Sequence, residues 1–162
     1  MFIKQISVFL ENTPGALREM TELLGKGGVD LLALSVADTQ NFGIIRIIVE
    51  SSQIDPALAL LRDNGYTAKV NHVICAEVAD RPLGLCELLT LIEKAGLSVE
   101  YMYSFLRASK SGEAHMILRL NDGLGVNVDA HHLCLGKALR HHQSDETGAR
   151  AHIEDEQWFF RG

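Results

Sequence analysis

Glu11-Asn12-Thr13-Pro14-Gly15-Ala16-Leu17 is the stretch that decides the fold, because it has a partner 68 residues later in Asp80-Arg81-Pro82-Leu83-Gly84-Leu85. At that offset Pro14 meets Pro82, Leu17 meets Leu85 and Glu19 meets Glu87. Lys26 meets Lys94, and Gly28 meets Gly96. A fixed period of this kind marks a duplicated structural unit. Ahead of each proline the chain alternates with period two, through Ile6, Val8 and Leu10 and again through Ile74, Ala76 and Val78. That is the pattern of a half-buried strand.

Behind each proline the period changes. Leu85, Leu88, Leu89 and Ile92 fall at i, i+3, i+4 and i+7, matched in the first copy by Leu17, Met20 and Leu24. Both sets describe amphipathic helices. Proline suits a first helical position, whose N–H has no intrahelical partner, and Thr13 is the expected N-cap of the first helix. Arg81, at the same place in copy two, caps poorly. Gly27-Gly28 and Gly96 stop the helices.

Outward from there, copy one continues with strands near 29–37 and 43–50, joined by the turn Asp38-Thr39-Gln40-Asn41. A helix over 54–64 and a strand over 66–70 complete it. Copy two supplies strands near 97–107 and 113–120. A helix is expected at 129–142, with Asp129 as its cap. Its last strand is either 149–153 or 157–160. The order β-α-β-β-α-β is the ferredoxin-like unit, an α+β fold. The expectation is two such units, residues 1–70 and 71–162, the second divergent after about residue 121. Their antiparallel sheets join side by side near Val70–Val73.

The motif after the first strand resembles the loop of ACT domains, and the pair of motifs resembles tandem ACT-domain proteins. Leu83 stands where the second motif would have its glycine. ACT domains are regulatory modules that bind amino acids, often between copies paired edge to edge. The resemblance therefore implies a ligand site at Asn12, Thr13, Pro14, Gly15, Ala16 and Leu17, and at Asp80, Arg81, Pro82, Leu83, Gly84 and Leu85. The second strand of the neighbouring copy would form the facing wall, which brings in Asp30, Leu31, Ser98 and Val99.

The physics of the loop agrees. A helix start offers unpaired N–H groups and the positive end of the helix dipole to a carboxylate. Gly15 lets the backbone approach a ligand closely. Asn12 and Asp80 present short polar groups, Asp80 being suited to an ammonium. Both are also common turn residues without any ligand, and Leu17 and Leu85 read first as core.

Composition narrows the rest. An apolar fraction of 47% and a charged fraction of 22% are ordinary globular values, which excludes disorder. The formal charge of −6, with no basic run, disfavours a nucleic-acid partner. No apolar run approaches the ~20 residues that cross a bilayer, and no signal peptide is evident, so the protein is expected in the cytoplasm. Cys75, Cys86 and Cys134 are few and scattered, which fits neither a disulfide framework nor a zinc site.

The histidines of the expected last helix give no metal set, since His131 and His142 stand ~16 Å apart along one helix. Gly123-Leu124-Gly125 lacks the third glycine of a dinucleotide loop. Tyr101, Tyr103 and Phe105 alternate on one strand, so they share a face and either pack on a helix or line the seam between copies. No nucleophile-and-base set appears, and no cofactor is implied. The sequence reading is therefore a non-catalytic regulatory protein that binds a free amino acid at the interface between its two units, working as a homodimer or on a partner enzyme. The alternative is the regulatory subunit of an amino-acid biosynthetic enzyme, such as the acetolactate synthase small subunit. The second motif at 80–85 argues against it.

Overall fold

The structure is a computed structural model that describes residues 2–38, 42–105 and 113–121. Six strands, β1 (Phe2–Glu11), β2 (Ala33–Asp38), β3 (Phe42–Ile48), β4 (Thr67–Ala79), β5 (Ser98–Ser104) and β6 (Glu113–Asn121), form one sheet in the order β2-β3-β1-β4-β6-β5. Every pairing is antiparallel. Helices α1 (Ala16–Lys26), α2 (Ile54–Asp63) and α3 (Gly84–Lys94) connect them. This is the expected α+β architecture of tandem ferredoxin-like units. The helix expected at 129–142, the loop before it, both candidate last strands and the turn residues 39–41 lie outside the described residues.

Strand β4 belongs to both copies. Residues Thr67 to Ile74 pair with β1, and Ile74 to Ala79 pair with β6. The strand runs through without a break, so side-chain alternation carries over from one copy to the next. Ala68 and Val70 pack into the first core with Ile6, Val8, Met20, Leu24 and Leu61. Ile74 and Val78 pack into the second with Leu88, Ile92, Leu118 and Leu120. Even-numbered residues of β4 thus face helices along its whole length, and all three helices cover the same side of the sheet.

The helix-free side is not left to water. Gln5 is fully buried, Ser7 nearly so, and Val73, Cys75, Ile117, Ala33 and Ile48 form a third apolar cluster with Tyr101, Tyr103 and Phe105 against it. Gln5 Nε2 donates to the Tyr101 hydroxyl at 2.9 Å, and the Tyr103 hydroxyl donates to Gln5 Oε1 at 2.9 Å. In a flat sheet β5 and β1 would stand three strand spacings apart, roughly 14 Å, too far for upright side chains to meet. The sheet therefore coils toward its helix-free side, an exaggeration of the usual twist. The seam between the copies runs inside that coil.

Two local expectations are corrected. Thr13 does not cap α1, and Pro14 is not its first residue. The N-cap position is Gly15, with no side-chain cap bond. Pro14 instead occupies the second place of a turn closed by the bond from the Ala16 N–H to the Thr13 carbonyl at 3.2 Å. Leu85, read as core, is 38% exposed, and Leu89 36%. The buried face of α3 is set by Gly84, Leu88 and Ile92.

Candidate functional site

The two helix-opening loops have the same backbone. In copy one, Thr13 N–H donates to Glu11, Ala16 N–H to Thr13 and Glu19 N–H to Gly15. In copy two, Arg81 N–H donates to Ala79, Gly84 N–H to Arg81 and Glu87 N–H to Leu83. Each bond recurs at the 68-residue offset. Gly15 has φ 91° and ψ −18°, and Leu83 has φ 69° and ψ −7°. Those are the angles of the third residue of a type II turn, with proline in the second place.

Leu83 is the single non-glycine residue of positive φ among the described residues, and it is 72% exposed. It accepts a left-handed backbone that costs an ordinary side chain ~1–2 kcal/mol. The glycine displaced to 84 answers a different need. A Cβ there would stand 2.2 Å from the Ala79 carbonyl oxygen. Arg81 holds this turn to α3 through two bonds to the Glu87 carboxylate, at 2.7 and 2.8 Å. We expect Leu83→Gly to raise stability by about 1 kcal/mol in urea unfolding, with no change in structure. A loss of stability would show that the exposed leucine contributes a contact worth more than the strain.

The sequence-derived site residues fall into separate places. Asn12 to Leu17 lie beyond the end of the sheet where β4 starts, and Leu17 packs onto the first core. Asp80 to Leu85 follow the other end of β4, ~40 Å away at 3.3 Å per residue over its thirteen residues. Ser98 pairs with Asn121, three residues past Leu118, which faces Ile74. The first loop begins three residues past Phe9, which faces Thr67. Ser98 and Val99 are thus offset from Asn12 by seven and eight residues, roughly 25 Å along the sheet. The expected facing of loop one and the second strand of copy two does not occur within one chain, because β1 and the start of copy two are antiparallel neighbours. Asp30 precedes the edge strand β2, its N–H directed to Gln53 Oε1 at 3.3 Å, while Leu31 packs onto the first core. Among the described residues both outer edges of the sheet, β2 and β5, are the second strand of their copy.

Gln5, Ser7, Arg46 and Asn71, which the sequence reading passed over, lie in the seam together with Tyr101 and Tyr103, for which a place there was one of the two expectations. Gln5 also donates to Ser7 Oγ at 2.9 Å. The Arg46 guanidinium carbon sits 4.0 Å from the centre of the Tyr101 ring, a cation–π contact. Tyr101 and Tyr103 stack with centres 6.4 Å apart. Asn71, opposite Gln5, buries its Oδ1 with no hydrogen-bond partner among the described residues. Burial is the largest influence on both the Tyr103 hydroxyl and the Cys75 thiol, raising the first and pushing the second up to about 12. Cys75 is therefore a protonated packing group at neutral pH rather than a nucleophile. Among the described residues no group of three His, Cys, Asp or Glu could hold a metal ion, and no helix is long and apolar enough to cross a membrane.

Residues 1–126 match the family described as an ACT domain pair. A solved protein from Bacteroides thetaiotaomicron is 31% identical, covering 88% of this chain and 90% of that one, with a TM-score of 0.73. The regulatory subunit of aspartate kinase from Thermus thermophilus is 15% identical over 88% of this chain and 93% of its own, with a TM-score of 0.58. The corresponding subunit from Thermus flavus is 13% identical over 90% and 96%, with a TM-score of 0.56. At those identities the two subunits share the fold. No protein of curated function matches the chain.

Proposed function

The chain belongs to the ACT domain pair family, and from that premise we propose that it is a regulatory module that binds a free amino acid and performs no chemistry of its own. The observation that carries this reading is the duplicated helix-opening turn, with three backbone bonds repeated at one offset and a left-handed residue at the same place in both. A turn so built aims the first N–H groups of a helix outward, where a carboxylate is favoured. Loop one, Asn12 to Leu17, is the better receiver. It has glycine at the left-handed position, while loop two has Leu83 there and Arg81 across its mouth.

The facing wall comes, on this reading, from the edge strand of a second chain. Asp30 and Leu31 ahead of β2, or Ser98 and Val99 at the start of β5, are then the wall residues of a homodimer. A partner enzyme is the proposed output, in keeping with similar structures that are regulatory subunits of aspartate kinase. The test is a melting-temperature screen of the twenty amino acids. A ligand at 100 times Kd that binds the native state alone adds ~2.7 kcal/mol of stability. Absence of any stabilisation at millimolar concentration would end the sensor reading.

A further inference from the structure

The helix-free face of copy one carries one row that is polar on all four strands. Ser35 on β2, Arg46 on β3, Ser7 on β1 and Lys69 on β4 are successive cross-strand partners. Directly opposed side chains stand ~5 Å apart, so these four form a continuous strip. Ala37, Ile44 and Phe9 make the row on one side, and Ala33 and Ile48 pair in the row on the other. Tyr101 from copy two lies over the strip against Arg46.

Among the described residues no carboxylate stands within ion-pair distance of Arg46 or Lys69, although Arg18, Lys26, Arg81 and Arg119 all have one. Of these two, Arg46 is the half-buried one, while Lys69 is exposed. A half-buried cation without counter-charge is costly and is normally paired. Ser7 Oγ accepts from Gln5, which leaves its own O–H free to donate into the strip. A guanidinium held on an aromatic ring keeps a rigid fork of donors for a planar anion.

We infer that this strip binds a small organic carboxylate, held by the Arg46 guanidinium with the Ser7 and Ser35 hydroxyls at its sides and Lys69 adding charge. It lies inside the seam, five residues along β1 from Asn12, and does not depend on the loop reading. A carboxylate matches the single enclosed cation. Phosphate, tetrahedral and partly dianionic at neutral pH, would draw more heavily on Lys69, which is exposed.

The experiment titrates the full chain with sodium acetate, sodium succinate and sodium phosphate against sodium chloride at matched ionic strength. The readouts are the Arg46 Nε–Hε NMR signal and the melting temperature. A carboxylate is expected to move the Arg46 signal saturably at up to tens of millimolar. Arg46→Gln weakens that carboxylate's stabilising effect about ten- to a hundredfold, the loss of a charged hydrogen bond. Ser35→Ala, on an edge strand, weakens it less and serves should Arg46→Gln not fold. Lys94→Gln, an exposed charge change at the end of α3, leaves it unchanged, and the Arg46 signal itself separates this site from the first loop. Saturation by phosphate but by neither carboxylate would overturn the ligand class. No saturable shift with any salt, or an unchanged response in Arg46→Gln, would overturn the site.

Discussion

Gln5→Ala is expected to cost about 3–5 kcal/mol of stability, adding a cavity to two half-buried tyrosine hydroxyls left without their partner. Gln5 is fully buried and touches both copies at once, through Ser7 on its own strand and through Tyr101 and Tyr103 from 96 and 98 residues away. Its loss therefore weakens the seam rather than one core. Tyr103→Phe alone should cost ~1 kcal/mol, the ordinary net value of one hydrogen bond. The two changes share a bond, so their effects should fall short of additive by roughly 1 kcal/mol in a double-mutant cycle. Urea unfolding of the three variants measures all of this. A loss below about 1 kcal/mol for Gln5→Ala would mean that water replaces the glutamine and that the seam is not a packed interior.

The same residue explains where sequence reading stops. Ile6, Val8 and Leu10 announce a strand with one buried face, and they hold the first core as the pattern requires. The intervening Gln5 and Ser7 then read as the wet side. What covers them comes from the other copy, and strand periodicity carries no information about contacts that distant. Tyr101 and Tyr103 were the available signal: aromatic residues on one face of β5 indicate that this face is not solvated. Arg46, between Ile45 and Ile47, gave no comparable hint.

The duplicated architecture was legible because each unit repeats local patterns, and a repeat can be read without knowing how its copies meet. The relation of the two loops is not carried by local patterns, although the topology contains it. Strand β4 is antiparallel to β1 and itself becomes the first strand of copy two, so the loops that follow β1 and β4 must leave opposite ends of the sheet. The joint near Val70–Val73 falls inside that one strand, Thr67–Ala79. A linker there would have allowed either orientation.

Gly15→Val is expected to destabilise the chain by about 2–3 kcal/mol, because a β-branched side chain is forced into the left-handed region at φ 91°. The cost is one of backbone conformation. Among the described residues a Cβ at this position would meet only Glu19 Oε1, at 3.7 Å, so there is space for it. Copy two shows how such a cost is carried: Leu83 has the same conformation, and Arg81 ties its turn to Glu87 in a way that Thr13 cannot reproduce with Glu19. Valine at 15 therefore confounds folding with binding. Gly15→Asn separates them, since asparagine tolerates positive φ and loses well under ~1 kcal/mol while still placing a side chain over the start of α1. Calorimetry on the folded Gly15→Asn protein should show affinity for the stabilising amino acid reduced about tenfold or more, equivalent to ~1.4 kcal/mol. Should Gly15→Asn bind that amino acid as tightly as the parent, the first loop is not where the ligand sits. Should Gly15→Val prove as stable as the parent, the turn is not held left-handed at this residue.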